Sequence, residues 1–363
     1  MDTVLRVGPG QVPNVQARQV PKLLGGVKLS RFMELPEDEF RKLVKEIEED
    51  PLFKRLLCSP RPQEKIIKYS RFPRVELPRQ FYELRESVVP SENSFDPESL
   101  PGQREEIVSL IRKVGPEKFK QYFLYGESDM SPKELAERCQ LSVQEVQKIS
   151  SFMDEFSIHS EFYFPSTIRS GSKISYHKIA SIEKGDQDEL IIGCFSPDLA
   201  RGKYTIDYGR LGQLQGEGIF GQQEMEKISK LLRSLELINI RKNVIYQILQ
   251  WIVEVQRRYL ESGDPQELKP FSQKELAVQI GVNPSLVCRA LQNRSIETPL
   301  GHERPLKFFL PSKKEVRKEL IRQIWKEERP LSDEQIRIEL KEKFGLFVSR
   351  RTVNDCRREL KLS

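Results

Sequence analysis

Apolar positions recur every three to four residues along most of this chain, the spacing that places one face of a helix against a core. Leu23, Leu24, Val27 and Leu29 lead into Met33-Glu34-Leu35-Pro36, and Phe40, Leu43, Val44 and Ile47 continue the stripe to a stop at Asp50-Pro51. This reads as a helical hairpin whose outer face is rich in Glu and Lys. Before it, Gly8, Gly10, Pro13 and Pro21 argue for an extended start. After it, prolines at 60, 62, 73, 78, 90, 97 and 101 make residues 58–101 a linker. Helical spacing returns from Gln103 to Phe156, broken at Gly115-Pro116 and near Gly126, with a capping box at Ser131-Pro132-Lys133-Glu134.

Between Ile158 and Tyr208 the runs Phe162-Tyr163-Phe164, Ile174-Ser175-Tyr176 and Leu190 to Phe195 are β-branched or aromatic and suggest a few strands. Five glycines between Gly209 and Gly221 suggest a flexible connection; without a following Gly-Lys-Ser/Thr they form no phosphate loop. A long stripe from Gln223 to Tyr259 then predicts a helix of about 55 Å.

Two further patterns are more specific. From Phe271 to Leu291, Ser272 and Glu275 cap a first helix, Ala277 is small where helices cross, and Gly281 makes a turn. Asn283 and Pro284 open a second helix as N-cap and first residue, leaving Ser285, Arg289, Gln292 and Arg294 outward. Every position a helix-turn-helix needs is filled. Near the end, Val316 to Lys326 predicts one helix and Ser332 caps another carrying Ile336, Leu340 and Phe344. Gly345 closes that helix, and Ser349 caps a last one with Val353, Cys356 and Leu360 inward and Arg350, Arg351, Asn354, Asp355 and Arg358 outward. The fold class is therefore mainly α: a multi-domain helical protein with two helix-turn-helix modules and a long central helix.

Charge sharpens this division. The net charge is +6, yet from Leu268 onward there are 21 Lys and Arg against 13 Asp and Glu, and before it 39 against 41. A basic end joined to a neutral remainder suits a nucleic-acid module attached to a portion whose partners are proteins. The helix pair near residues 132–156 exposes Gln144, Glu145, Asp154 and Glu155, which favours protein contact over DNA. The linker carries Arg61, Lys65, Lys68, Arg71, Arg74 and Arg79 among Tyr69 and Phe72, and serves either as a solvated tether or as a non-specific nucleic-acid contact. The five cysteines and three histidines are scattered singly, with no metal-ligand or disulfide spacing, and no catalytic constellation appears; no enzyme, metal or cofactor is expected. No run has the length of a membrane span, and Met1 to Gly10 lacks the order of a signal peptide, so a cytoplasmic protein without a membrane partner is expected.

Ser349-Arg350-Arg351-Thr352-Val353 followed by Arg357 resembles the RpoN box, the signature closing the sigma-54 family of bacterial RNA polymerase sigma factors. Asn293-Arg294, Thr298-Pro299, Gly301 and Leu306-Lys307-Phe308-Phe309 resemble the sequence after that family's central helix-turn-helix. Glu48-Glu49-Asp50-Pro51-Leu52-Phe53 resembles the end of its region I. The resemblance implies a transcription initiation factor that binds core RNA polymerase and directs it to promoter double-stranded DNA with two separated elements. Opening would depend on an AAA+ activator ATPase, and the factor would lie in the bacterial cytoplasm with the nucleoid.

It implies five parts: region I-like activator-interacting helices (1–57), a Pro-rich basic linker (58–101), a core polymerase-binding domain (102–262), a central helix-turn-helix domain (263–310) and an RpoN-box domain (311–363). Arg350, Arg351, Thr352, Asn354, Arg357 and Arg358 would bind the distal element, and Ser285, Arg289, Gln292 and Arg294 the proximal one. Met33, Leu35, Phe40 and Leu43 would meet the activator. The chain departs from the family at Asn354-Asp355-Cys356, where a lysine is replaced by Asp355, and in a Gln-poor region I with Gly25-Gly26. Those departures leave a second reading open: a divergent DNA-binding regulator that does not support transcription.

Overall fold

Prolines set the boundaries of the first three helices, α1 (Leu24–Glu34), α2 (Glu37–Glu49) and α3 (Pro51–Cys58). Pro36 precedes α2 and Pro51 opens α3, positions where a missing N–H costs nothing. Glu37, Asp38 and Glu39 sit in the first turn of α2, at the positive end of its dipole. The structure, a computed structural model, describes residues 24–58, 64–78, 101–124, 132–163, 166–168, 176–185, 187–327 and 331–362.

The linker expectation changes first. Residues 64–78 form β1 (Ile67–Ser70) and β2 (Val75–Glu76), with Ile66, Ile67, Phe72, Val75 and Leu77 buried. Phe72 stacks on Tyr246 at 4.3 Å, and the Tyr69 hydroxyl donates to Glu48 at 2.7 Å, so neither ring is offered to nucleic acid. Residues 79–100 lie outside the described residues.

Next come α4 (Pro101–Val114), the short α5 (Pro116–Phe119) with a following π-turn, α6 (Pro132–Cys139) and α7 (Val143–Tyr163). Ser131 lies outside the described residues, but a capping box that the sequence reading missed opens α7. Ser142 Oγ accepts from Glu145 N, and Glu145 accepts from Ser142 N at 2.6 Å. The run Phe162-Tyr163, read as extended, ends this helix; Ile174 and Ser175 lie outside the described residues.

Two strands then hold the middle of the chain, β3 (His177–Lys184) and β4 (Leu190–Cys194), followed by α8 (Pro197–Ala200) and β5 (Lys203–Ile206). The glycine-rich stretch is no loose connection. Its first part is α9 (Tyr208–Gly216), started by Asp207, which accepts from Arg210 N, and anchored by fully buried Leu214. Gly218, at φ +72°, then turns the chain.

The long stripe is α10 (Gln222–Val255), about 50 Å at 1.5 Å per residue, continued after a break at Gln256 by α11 (Arg257–Ser262). Its first half packs Ile228, Leu232, Leu235 and Ile238 with α2, α3, β1, β5 and α9 in one core. Its second half packs Ile245, Ile248, Leu249 and Ile252 in a larger core with α4 to α7 and the main sheet. The Gln256 side chain donates to the carbonyls of Lys269 and Phe309 and accepts from Lys269 N, tying the break to the segments that follow.

Those segments are α12 (Gln273–Gln279), α13 (Pro284–Leu291), β6 (Arg294–Glu297) and β7 (Glu303–Pro305). The main sheet has the order β2-β4-β3-β6-β7, with β2/β4 and β3/β6 parallel and the other two pairs antiparallel. Sheet and core thus run across the boundary drawn at 262/263, because β6 pairs with β3, which starts 117 positions earlier, at His177. Last, α14 (Lys313–Glu327), α15 (Asp333–Phe344) and α16 (Arg350–Leu360) close a core of their own around Ile321, Ile324, Trp325, Ile336, Leu340 and Val353.

Candidate nucleic-acid interface

Local chemistry fixes how α16 is presented. Gly345 ends α15 in the left-handed conformation at φ 62°, and Ser349 starts α16 by accepting from Thr352 N. Val353 and Cys356 are buried, which turns Arg350, Arg351, Asp355 and Arg358 to solvent and leaves Thr352 at the edge. Asn354 and Arg357 point back into the unit. Asn354 donates to Asp333 at 2.8 Å; Arg357 donates to it at 2.6 Å and lies 4.3 Å over the Trp325 ring. Burial raises the Asp333 pKa, but the bonds from Asn354 and Arg357 and the charges of Arg357 and Arg350 outweigh it and hold the carboxyl below its usual range. The expectation of a six-residue outer face therefore divides: four of its members face outward or edge, and Asn354 and Arg357 orient the helix. Glu359 is clamped by Lys314 and Lys318, whose bonds pull its pKa down to about 2.

The central helix pair follows the same local rules. Ser272 and Glu275 form a complete capping box on α12, Gly281 turns at φ +68°, and Asn283 accepts from Ser285 N to start α13. Leu276, Ala277, Val287 and Ala290 are buried. Ser285, Cys288 and Gln292 are exposed on the outer side, at helical spacing.

Two arginines expected there are otherwise engaged. Arg294 is 3% exposed; its guanidinium donates to Glu37 at 2.6 Å, to Ala290 O at 2.8 Å and to Met33 O at 3.2 Å. It is a structural arginine, because a carboxylate from the far end of the chain comes to meet it. Arg289 pairs with Glu34 at 2.6 Å and donates to Ser30, so the N-terminal hairpin lies against the edge of α13.

Glu37 is the node of that contact. Arg241 donates to it at 2.8 Å and also to the carbonyls of Phe32 and Leu35. Burial pushes the Glu37 carboxyl up, but Arg241, Arg294 and Arg41 around it hold its pKa well below the usual carboxylate range. The hairpin residues expected to meet an activator are corrected in part: Met33 is fully buried in the main core and Phe40 lies under Arg241 at 4.1 Å. Leu35 and Leu43 are half-buried. Glu34, Glu37, Arg241 and Asp333 were not singled out from sequence; their partners are too distant along the chain to leave a local signal.

Comparison with known proteins shows what part of this chain is similar to. Residues 220–363 match the model of the sigma-54 DNA-binding domain. An RNA polymerase sigma-54 factor of Cereibacter sphaeroides is 32% identical over 123 residues, 30% of this chain and 28% of its own length. That of Bacillus subtilis (strain 168) is 29% identical over 153 residues, 39% of this chain and 33% of its own. A Clostridium kluyveri protein given the same name provisionally is 31% identical over 148 residues, 37% of this chain and 32% of its own. The match thus spans about a third of the length of these relatives. A crystal structure of Aquifex aeolicus sigmaN bound to promoter DNA aligns with a TM-score of 0.35 and 18% identity over 78% of this chain and 97% of that one. The last 144 residues of this helix-rich chain are thus similar to a DNA-binding domain. More narrowly, that matched stretch is similar to the sigma-54 DNA-binding domain, and about a third of the chain is similar to sigma-54 factors. Among the described residues no helix is long and apolar enough to cross a membrane.

Proposed function

We propose that the chain is a sigma-54-type initiation factor. It binds core RNA polymerase, places it on promoters with two separated elements, and leaves opening to an AAA+ activator ATPase. The observation that carries this reading is the face of α16, where Arg350, Arg351 and Arg358 stand free in solvent on a helix held at its back by Asp333. A helix so presented meets base edges in the major groove through its first residues, and arginine grips guanine with two bonds. Arg350, Arg351, Thr352 and Arg358 read the distal element, with Asn354 and Arg357 positioning them. In the central helix-turn-helix, Ser285 and Gln292 face the proximal element, joined by Arg289 when Glu34 lets go. The remainder, residues 102–262, is the portion for core polymerase, and the hairpin of α1 and α2 is the activator's handle. An activator approaching it meets Arg31, Glu39, Lys42 and Glu46 at the surface and Leu35 and Leu43 at the edge.

Two observations favour the second reading, a regulator that binds DNA without supporting transcription. Asp355 is exposed on the reader face and repels phosphates, and Met33 and Phe40 are sealed inside the protein. Reconstitution with core polymerase on a duplex carrying GG and GC elements decides between them. Co-migration with core and activator-dependent transcripts support the factor; a chain that binds the duplex and never joins core supports the regulator.

A further inference from the structure

Where α2 packs on α10, a small cavity of roughly 20 Å³ is lined by Arg41, Arg241, Lys242 and Ser196. Its apolar walls come from Phe40, Ile179, Leu199 and Ile245, and Glu37 is the carboxylate on its lining. Arg41 is 3% exposed, yet its Nε and Nη1 make no hydrogen bond to any protein group, and neither does Nε of the fully buried Arg241. Leaving a buried guanidinium N–H without an acceptor is destabilising, more so than for a neutral donor. The charge around them is also unbalanced. Among the described residues, Arg41, Arg241 and Arg294 surround Glu37, and Lys242 and Arg201 neighbour Asp198 and Glu48, five cations against three carboxylates. Burial already depresses the Arg241 pKa to about 10, and Lys242 is lowered by the same cause.

We infer that this cavity is a binding site for one monovalent inorganic anion of halide size, which joins the N-terminal hairpin to the body of the protein. A water would fill the space, since a single water needs only about 10–15 Å³, but it brings no charge to a region with a cationic surplus. The halide accepts from the idle N–H groups of Arg41 and Arg241, and Lys242 stands on the same lining. Because Arg41 rides on α2 and Arg241 on α10, occupancy holds the two elements together.

Bromide is the probe. Crystals of the full chain grown in sodium bromide are expected to show an anomalous peak in the cavity, in contact with the Arg41 guanidinium. In solution, replacing gluconate by bromide at fixed ionic strength is expected to raise the melting midpoint of the full chain saturably, and Arg41→Met to remove that rise. If Arg41→Met does not fold, the two wild-type experiments decide alone. A water in the cavity with no anomalous signal overturns the inference. So does a peak without a bromide-dependent midpoint, which marks an adventitious ion only.

Discussion

Replacing Asp333 by alanine tests how α16 is held without touching any residue that faces solvent on it. Asp333 accepts from Asn354 at 2.8 Å and from Arg357 at 2.6 Å, and the Arg357 and Asp333 side chains are 19% and 12% exposed. Hydrogen bonds to a charged group in such surroundings contribute about 1.5–3 kcal/mol. Arg357 keeps its place over Trp325 after the change, an interaction of about 1 kcal/mol, so it is not left wholly orphaned. The expected net loss is about 2–3 kcal/mol, which corresponds to a roughly 30- to 150-fold faster opening-limited exchange of the α16 amides. Hydrogen exchange of the full chain reads this directly, with the α13 amides as an internal control.

The pH dependence has a definite sign. Asp333 titrates below its ordinary value in the folded chain, so its contribution is complete above about pH 4 and fades as pH falls through the folded value. Asp333→Ala should lack that acid-sensitive component. Unchanged exchange in α16, or equal acid sensitivity in both proteins, refutes the claim that Asp333 seats the helix.

Two further outcomes are expected. Glu34→Gln frees Arg289 from a half-exposed pair, so stability should change by less than about 1 kcal/mol, while affinity for a duplex carrying the proximal element rises and becomes steeper in salt; unchanged affinity and slope would show that Arg289 takes no part in binding. Cys288 is exposed between Ser285 and Gln292, so a bound duplex should protect it from maleimide, while exposed Cys58 reacts at its usual rate; equal labelling of Cys288 with and without DNA would place α13 away from the groove.

The parts of this fold that are written locally were readable from the sequence. Ser272 with Glu275, Asn283 with Pro284, Ser332, Ser349 and the left-handed Gly281 and Gly345 each act within four residues, and each stands where the spacing placed it. What depends on distant partners was not. Arg294 looks outward on any helical wheel, and only the arrival of Glu37, 257 positions away, turns it into a core arginine. Ile67 and Val75 sit among prolines in runs too short to show alternation, and become strands because β5 and β4 offer edges to pair with. The helix at Tyr208–Gly216 runs against glycine's low propensity and is held by its Asp207 cap and by Leu214. Burial of Met33 and Phe40 follows the same logic: an amphipathic hairpin must place its apolar face somewhere, and here the protein's own α10 and α13 receive it.

The central claim is that α16 reads bases, and a cycle of protein and DNA changes tests it most directly. Affinity of the full chain and of Arg351→Ala is measured by fluorescence anisotropy on a duplex with the GG distal element and on one with GG replaced. Base reading predicts a loss of about 1–3 kcal/mol on the GG duplex and little on the other. Equal losses on both duplexes would show that Arg351 touches only phosphate, and would contradict the account.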